Sequence, residues 1–86
     1  MQQSQKIPFS RPISIRDAGN NNTVRTVKSV NGANEVLIDW PHARRGPVYQ
    51  DTMAIIQAAL DGSESPEKAR EAFEAFAIHA GVLANG

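Results

Sequence analysis

The sequence predicts an α+β domain: an N-terminal β-hairpin followed by three α-helices, with a short extended C-terminal segment able to lie beside the hairpin. Three observations predict it. Apolar residues alternate with polar ones only near the N-terminus, at Ile13 and Ile15, whereas from Val30 onward they recur at helical spacing. Pro47 and Pro66 each open an apolar-periodic run, and Pro41, Gly62 and Gly81 each close one. The length of 86 residues, with 41% hydrophobic and 21% charged side chains, suits one folded core rather than two.

Residues 1–8 read as a frayed polar tail and residues 9–86 as a single domain. In the first strand Ile13 and Ile15 alternate with Ser14 and Arg16, the period of a half-buried strand. Residues 18–22, Ala-Gly-Asn-Asn-Asn, tolerate left-handed backbone and form the turn. The β-prone run Thr23 to Lys28 returns as the second strand, with Val24 and Val27 breaking strict alternation.

Ser29 is suited to cap a first helix, in which Val30, Ala33, Val36, Leu37 and Trp40 share one face. Pro41 stops that helix, because it disfavours helical geometry in the preceding residue and has no N–H to donate. A loop, residues 41–46, leads to Pro47, whose missing N–H costs nothing at a first helical position. Val48, Tyr49, Met53, Ile55, Ile56, Ala59 and Leu60 then cover so broad an arc that this second helix is expected to be the central one. Gly62 ends it. Ser65-Pro66-Glu67 opens the third helix with a cap, a first-turn proline and an acid at the positive end of the dipole. Its apolar stripe is Ala69, Ala72, Phe73, Phe76, Ala77 and Ala80, with Arg70, Glu71 and Glu74 outside it. Gly81 closes the helix and Val82-Leu83 form the extended tail.

The chain has no cysteine, so neither a disulfide framework nor a thiolate metal site supplements the small core, and self-association is the remaining common supplement. Met1 to Gln5 lack the apolar segment of a secretory signal, and no stretch approaches the roughly 18 apolar residues of a membrane helix. Cytoplasm is the expected compartment. Net charge is zero but unevenly spread. Residues 1–47 hold seven basic and three acidic residues, net +4, and residues 48–86 hold two and six, net −4. The two halves are expected to complement each other within the fold or across a dimer, since the basicity falls well short of a dedicated nucleic-acid binder.

Catalytic, metal and cofactor residues are not recognisable. His42 and His79 lie in no metal-ligand spacing, and His79 suits the negative end of the third helix. No Gly-x-Ser-x-Gly turn surrounds a serine, and the glycines fit neither phosphate-loop pattern. One loop has a physical claim on an anion: His42, Arg44 and Arg45 precede a helix N-terminus, where free N–H groups and guanidinium forks attract phosphate or carboxylate. Trp40 and Tyr49 flank this loop but fall on apolar helix faces, so packing is their expected role. Ile78 lies on the charged side of the third helix, between Glu71 and Glu74 in angle, and Ile38 is similarly displaced from the first helix's stripe. Were Trp40, Tyr49 and both histidines gathered around an open cleft, chemistry would become the leading reading.

The spacing of Trp40-Pro41, Arg45-Gly46-Pro47 with Tyr49, Ala59-Leu60-x-Gly62, Ala69-Arg70 with Phe73, and Ala80-Gly81-Val82 resembles the bacterial domain-of-unknown-function family numbered 982. The resemblance spans about residues 9–83 and implies a single domain, with no activity or catalytic residues to carry over. The chain departs from that family's pattern at Thr52, Ile56, Glu74 and Phe76; Ile56 stands where cysteine is frequent, and Glu74 changes the surface around Ile78. The expected function is therefore a non-enzymatic interaction module without a cofactor. It would bind a protein partner or a second copy of itself through Ile78, Glu74, Val82 and Leu83. The alternative is an anion- or nucleic-acid-binding module built on residues 42–46.

Overall fold

A computed structural model describes residues 7–16 and 24–84; the expected turn at residues 18–22 and residues 1–6 of the expected tail lie outside them. Strand β1 (Pro8–Arg16) pairs antiparallel with β2 (Val24–Ser29), and helices α1 (Val30–Ile38), α2 (Pro47–Asp61) and α3 (Pro66–Ala80) follow. The α+β reading, hairpin then three helices, is thus the observed architecture. None of the described helices is long and apolar enough to cross a membrane.

The hairpin begins earlier than the alternation of Ile13 and Ile15 indicates. Ile7 and Pro8, assigned above to the tail, are tied down: the Ile7 N–H donates to Asn31 Oδ1 at 2.8 Å, the Ile7 carbonyl accepts from Val30 N–H at 2.8 Å, and Pro8 stands opposite Ser29. Between the pairs Pro8↔Ser29 and Ile13↔Val27, β1 advances five residues and β2 only two, so β1 bulges. Pro12, which has no N–H to contribute to a ladder, falls in the bulge, and the interruption hides the buried Phe9 from a simple period-two reading. Val24 and Val27, an odd number of positions apart, face opposite sides: Val27 enters the core and Val24 is 55% exposed.

The helix ends follow the residues that signal them. Ser29 Oγ accepts from Gly32 N–H at 3.0 Å at the start of α1, and Ser65 Oγ accepts from Lys68 N–H at 3.1 Å at the start of α3. Gly62 (φ 90°) and Gly81 (φ 75°) end α2 and α3 in left-handed backbone that side-chain-bearing residues adopt only at a cost. The core draws on every element, from Ile13, Val27, Leu37 and Ile56 to Phe73.

Strand β1 lies against α3 and β2 against α1, while α2 packs on both other helices and hardly touches the strands. Helices α1 and α3 therefore each meet the hairpin and both other helices, whereas α2, expected as the central helix, packs on helices alone. Fully buried Ala69 and Ala77 let neighbours approach α3 closely, whereas Val48, Met53, Ile55 and Leu60 of α2 are only half-buried. A second difference is Arg70, assigned above to the wet face but only 6% exposed. Its Nε donates to the Arg11 carbonyl at 3.0 Å and its Nη1 lies 3.5 Å from Glu74 Oε1, so the buried guanidinium is satisfied by the bulged strand and by its own helix.

Beyond α3 the chain returns to the sheet. Arg16 N–H donates to the Val82 carbonyl at 2.7 Å, Ala84 N–H donates to the Ser14 carbonyl at 2.8 Å, and Leu83 bridges Ile15. The tail thus occupies the edge of β1 that β2 leaves open, and Val82 is buried.

The two oppositely charged halves are not joined by ion pairs among the described residues. Arg25 meets Glu35 at 3.7 Å within the basic half, and Arg70 meets Glu74 within the acidic half. Contacts between a charged and a neutral group do cross, from the Ser10 hydroxyl to Glu67 Oε1 at 2.8 Å and from Arg70 Nε to the Arg11 carbonyl. The polarity read from the sequence therefore persists on the surface.

Candidate binding site

Trp40-Pro41 ends α1 and turns the chain through a short 3-10 turn, His42–Arg44, into α2. The turn is closed by Arg44 N–H on the Pro41 carbonyl (2.9 Å) and Arg45 N–H on the His42 carbonyl (3.2 Å). Arg45 then reaches back. Its Nε donates to the Trp40 carbonyl at 3.2 Å and its Nη2 to the Ile38 carbonyl at 2.9 Å, satisfying oxygens at the negative end of α1. Its guanidinium carbon also sits 4.9 Å from the centre of the Tyr49 ring, within cation–π range.

Under this clamp the rings of Trp40, Tyr49 and Phe76 meet. Phe76 packs edge-on to Trp40 at 5.0 Å and to Tyr49 at 6.1 Å between centroids, and Phe73 lies 6.4 Å from it. The Tyr49 hydroxyl donates to the Leu37 carbonyl at 2.7 Å, which fixes the first turn of α2 against the last turn of α1. Because the Leu37 carbonyl also accepts from Trp40 N–H at 3.1 Å, losing the hydroxyl does not leave it bare. Tyr49→Phe is accordingly expected to lower stability by only about 1 kcal/mol, read from chemical denaturation. A loss above about 3 kcal/mol would mean that the hydroxyl does more than join two helix ends.

Between the N-terminus of α2 and the C-terminus of α3 these rings floor a cleft of about 270 Å³. Its lining includes Trp40, Tyr49, Phe76, Val48, Arg44 and His79. The three rings are almost wholly buried, whereas Arg44 and His79 are exposed and stand at the mouth. Gly46 supplies no side-chain cap to α2, so the positive end of that helix opens toward the same space. Among the described residues Arg44 takes part in neither ion pair and in none of the side-chain hydrogen bonds.

The residues singled out from sequence are thus partly united. Trp40, Tyr49 and His79 share the cleft with Arg44, while exposed His42 is not in its lining. Arg45 is engaged by its own fold. No group of three His, Cys, Asp or Glu side chains able to hold a metal ion occurs among the described residues. Of the expected partner surface, Val82 is buried, Leu83 bridges Ile15 and Glu74 pairs with Arg70, leaving Ile78, 61% exposed, as its open member. The sequence reading does not join His79 to Trp40 and Arg44, because α3 meets the loop only through tertiary packing.

A family model described as protein of unknown function (DUF982) matches residues 11–84. The chain belongs to the DUF982 family. The match covers both strands from Arg11, all three helices and the returning tail, so the aromatic floor, the Arg45 clamp and the cleft of this DUF982 domain all lie within it. No curated protein and no solved structure matches this DUF982 chain.

Proposed function

We propose that this domain is a non-enzymatic protein-interaction module whose cleft receives one apolar anchor, flanked by acidic groups, from a protein partner. The observation that carries this reading is the cleft itself: an aromatic floor with Arg44 and His79 at its mouth. At about 270 Å³ it lies just below the roughly 300–1,000 Å³ of pockets that enclose whole small molecules, and it suits a single side chain. A well-packed, desolvated anchor carries most of an interface's energy, and the Arg44 guanidinium at the rim selects an acidic flank rather than a basic one. The lining supports binding over turnover, since the Tyr49 hydroxyl is committed to Leu37 and, among the described residues, no carboxylate lines the cleft beside His79.

Short peptides test this directly. A peptide with an isoleucine between glutamates is expected to shift the NMR signals of the Trp40 indole and His79 ring at sub-millimolar concentration, and one with lysines in place of the glutamates is not. Arg44→Glu is expected to reverse that preference. No shift with millimolar acidic peptide would remove the reading, and equal shifts with acetate or phosphate alone would replace it with a simple anion site.

A further inference from the structure

We infer that the acidic group beside the anchor is the anchor's own α-carboxylate: the cleft receives the C-terminal residue of a protein partner, an aliphatic one. The inference rests on the anchor-and-cleft reading and names the part of the partner that enters. Two neighbouring arginines differ at the mouth. Arg45 is committed to the Ile38 and Trp40 carbonyls and to the Tyr49 ring, whereas exposed Arg44 lines the cleft and its side chain donates to no acceptor among the described residues. A guanidinium holds a carboxylate best through two parallel N–H···O bonds, one to each oxygen.

The first turn of α2 adds donors. Val48 and Tyr49 line the cleft, and neither N–H donates to a backbone or side-chain acceptor among the described residues, while the next, Gln50 N–H, bonds back to the Gly46 carbonyl. Tyr49 is only 5% exposed, and N–H groups of buried residues are nearly always paired, so its donor favours an occupant that brings an oxygen. On the opposite wall the Ala77 and Ile78 carbonyls at the end of α3 are taken by Val82 and Gly81 N–H, and no carboxylate belongs to the lining among the described residues.

This combination selects a chain end. An internal residue brings one carbonyl and one N–H, on a backbone that must leave the cleft in both directions. A terminal residue brings two acceptor oxygens and a full negative charge, and its chain leaves on one side only. A partner's glutamate carries its charge on a flexible side chain of its own, whereas the terminal carboxylate shares a Cα with the anchor, so one residue meets both floor and mouth of a cleft of about 270 Å³. A free amino acid would add its ammonium group beside Arg44, a like-charge contact that a peptide avoids.

The test is an NMR titration of the whole chain, followed at the Trp40 indole and the His79 ring. The probes are an acetylated glycine-rich tetrapeptide ending in isoleucine as the free acid, the same peptide as its C-terminal amide, the isoleucine-between-glutamates peptide amidated at its end, and free isoleucine. The free acid is expected to bind roughly tenfold or more tighter than each of the others. Arg44→Gln, at an exposed site, is expected to bring the acid to the level of the amide. Ala80→Leu, at an exposed lining position, is expected to fill the cleft and abolish binding of both, each variant keeping the parent's circular dichroism. Equal binding of acid and amide, or of acid and internal peptide, overturns the inference and leaves the anchor reading standing. An acid preference untouched by Arg44→Gln, or free isoleucine binding as tightly as the peptide acid, overturns it as well, the latter in favour of a small-molecule ligand. No shift from any of the peptides at millimolar concentration removes both readings.

Discussion

Phe76→Ala is expected to cost roughly 3–5 kcal/mol of folding stability, the range for removing a buried aromatic side chain. Phe76 is 3% exposed and is the only ring within 6.5 Å of Trp40, Tyr49 and Phe73 together among the described aromatic pairs. Its removal takes away the burial of one large side chain and three ring contacts, and the neighbours cannot close the gap: Tyr49 is held by its bond to Leu37, and Trp40 by the turn that Arg45 clamps. A domain of this size holds only about 5–10 kcal/mol in total, so the variant should lie close to its unfolding limit at room temperature. Urea denaturation followed by Trp40 fluorescence reads the effect as a lower midpoint at unchanged slope. Ile38→Ala, at a site 56% exposed, serves as the contrast and should stay within about 0.5 kcal/mol of the parent. A Phe76→Ala loss under about 1 kcal/mol would show that the rings do not act as a packed unit.

Arg70→Met is the second large effect, expected at about 2 kcal/mol. Methionine keeps most of the apolar stem, so packing changes little. What disappears is the donor to the Arg11 carbonyl, which lies in the bulge where β1 and β2 lose register and so lacks a regular ladder partner. Leaving a partly buried carbonyl without a donor carries its desolvation cost, about 1–3 kcal/mol. Glu74 is half-buried and can turn to water, so its lost pairing adds little, and Glu74→Gln alone should cost less than about 1 kcal/mol. The two substitutions separate the carbonyl contact from the ion pair. Equal losses in both would assign the stability to the ion pair instead. Amide exchange adds a local signature, with protection falling first around Phe9 to Ile13 in the methionine variant.

These residues also mark where local chemistry stops being informative. Ser29, Pro47, Gly62, Ser65, Pro66 and Gly81 act through neighbours within a few positions, and their roles are legible without a third dimension. The start of β1 is not, because Pro12 and the bulge interrupt the alternation that would carry the strand back to Phe9. Arg70 escapes for a related reason: a helical wheel ranks it by charge, whereas its burial depends on a carbonyl from a strand 59 positions away in sequence. The cleft lies between these cases. Trp40, Tyr49 and Arg44 are neighbours along the chain and group around one loop, but their meeting with His79 depends on how α3 crosses them. Arg45 shows the limit from the other side, since an arginine drawn back onto the carbonyls of Ile38 and Trp40 looks in sequence the same as one held out to solvent.

The segment Val82 to Ala84, bonded along Ser14 to Arg16, also sets a timetable. Strand β1 leaves the ribosome well before that segment and can form its hairpin at once, yet its other flank stays bare until residue 84 has emerged. Whenever the hairpin forms before that segment docks, β1 carries an unprotected edge, the feature most prone to pairing with a neighbouring chain. Removing the returning segment should consequently harm yield from cells, through aggregation during translation, more than it harms the equilibrium stability of material that has already folded.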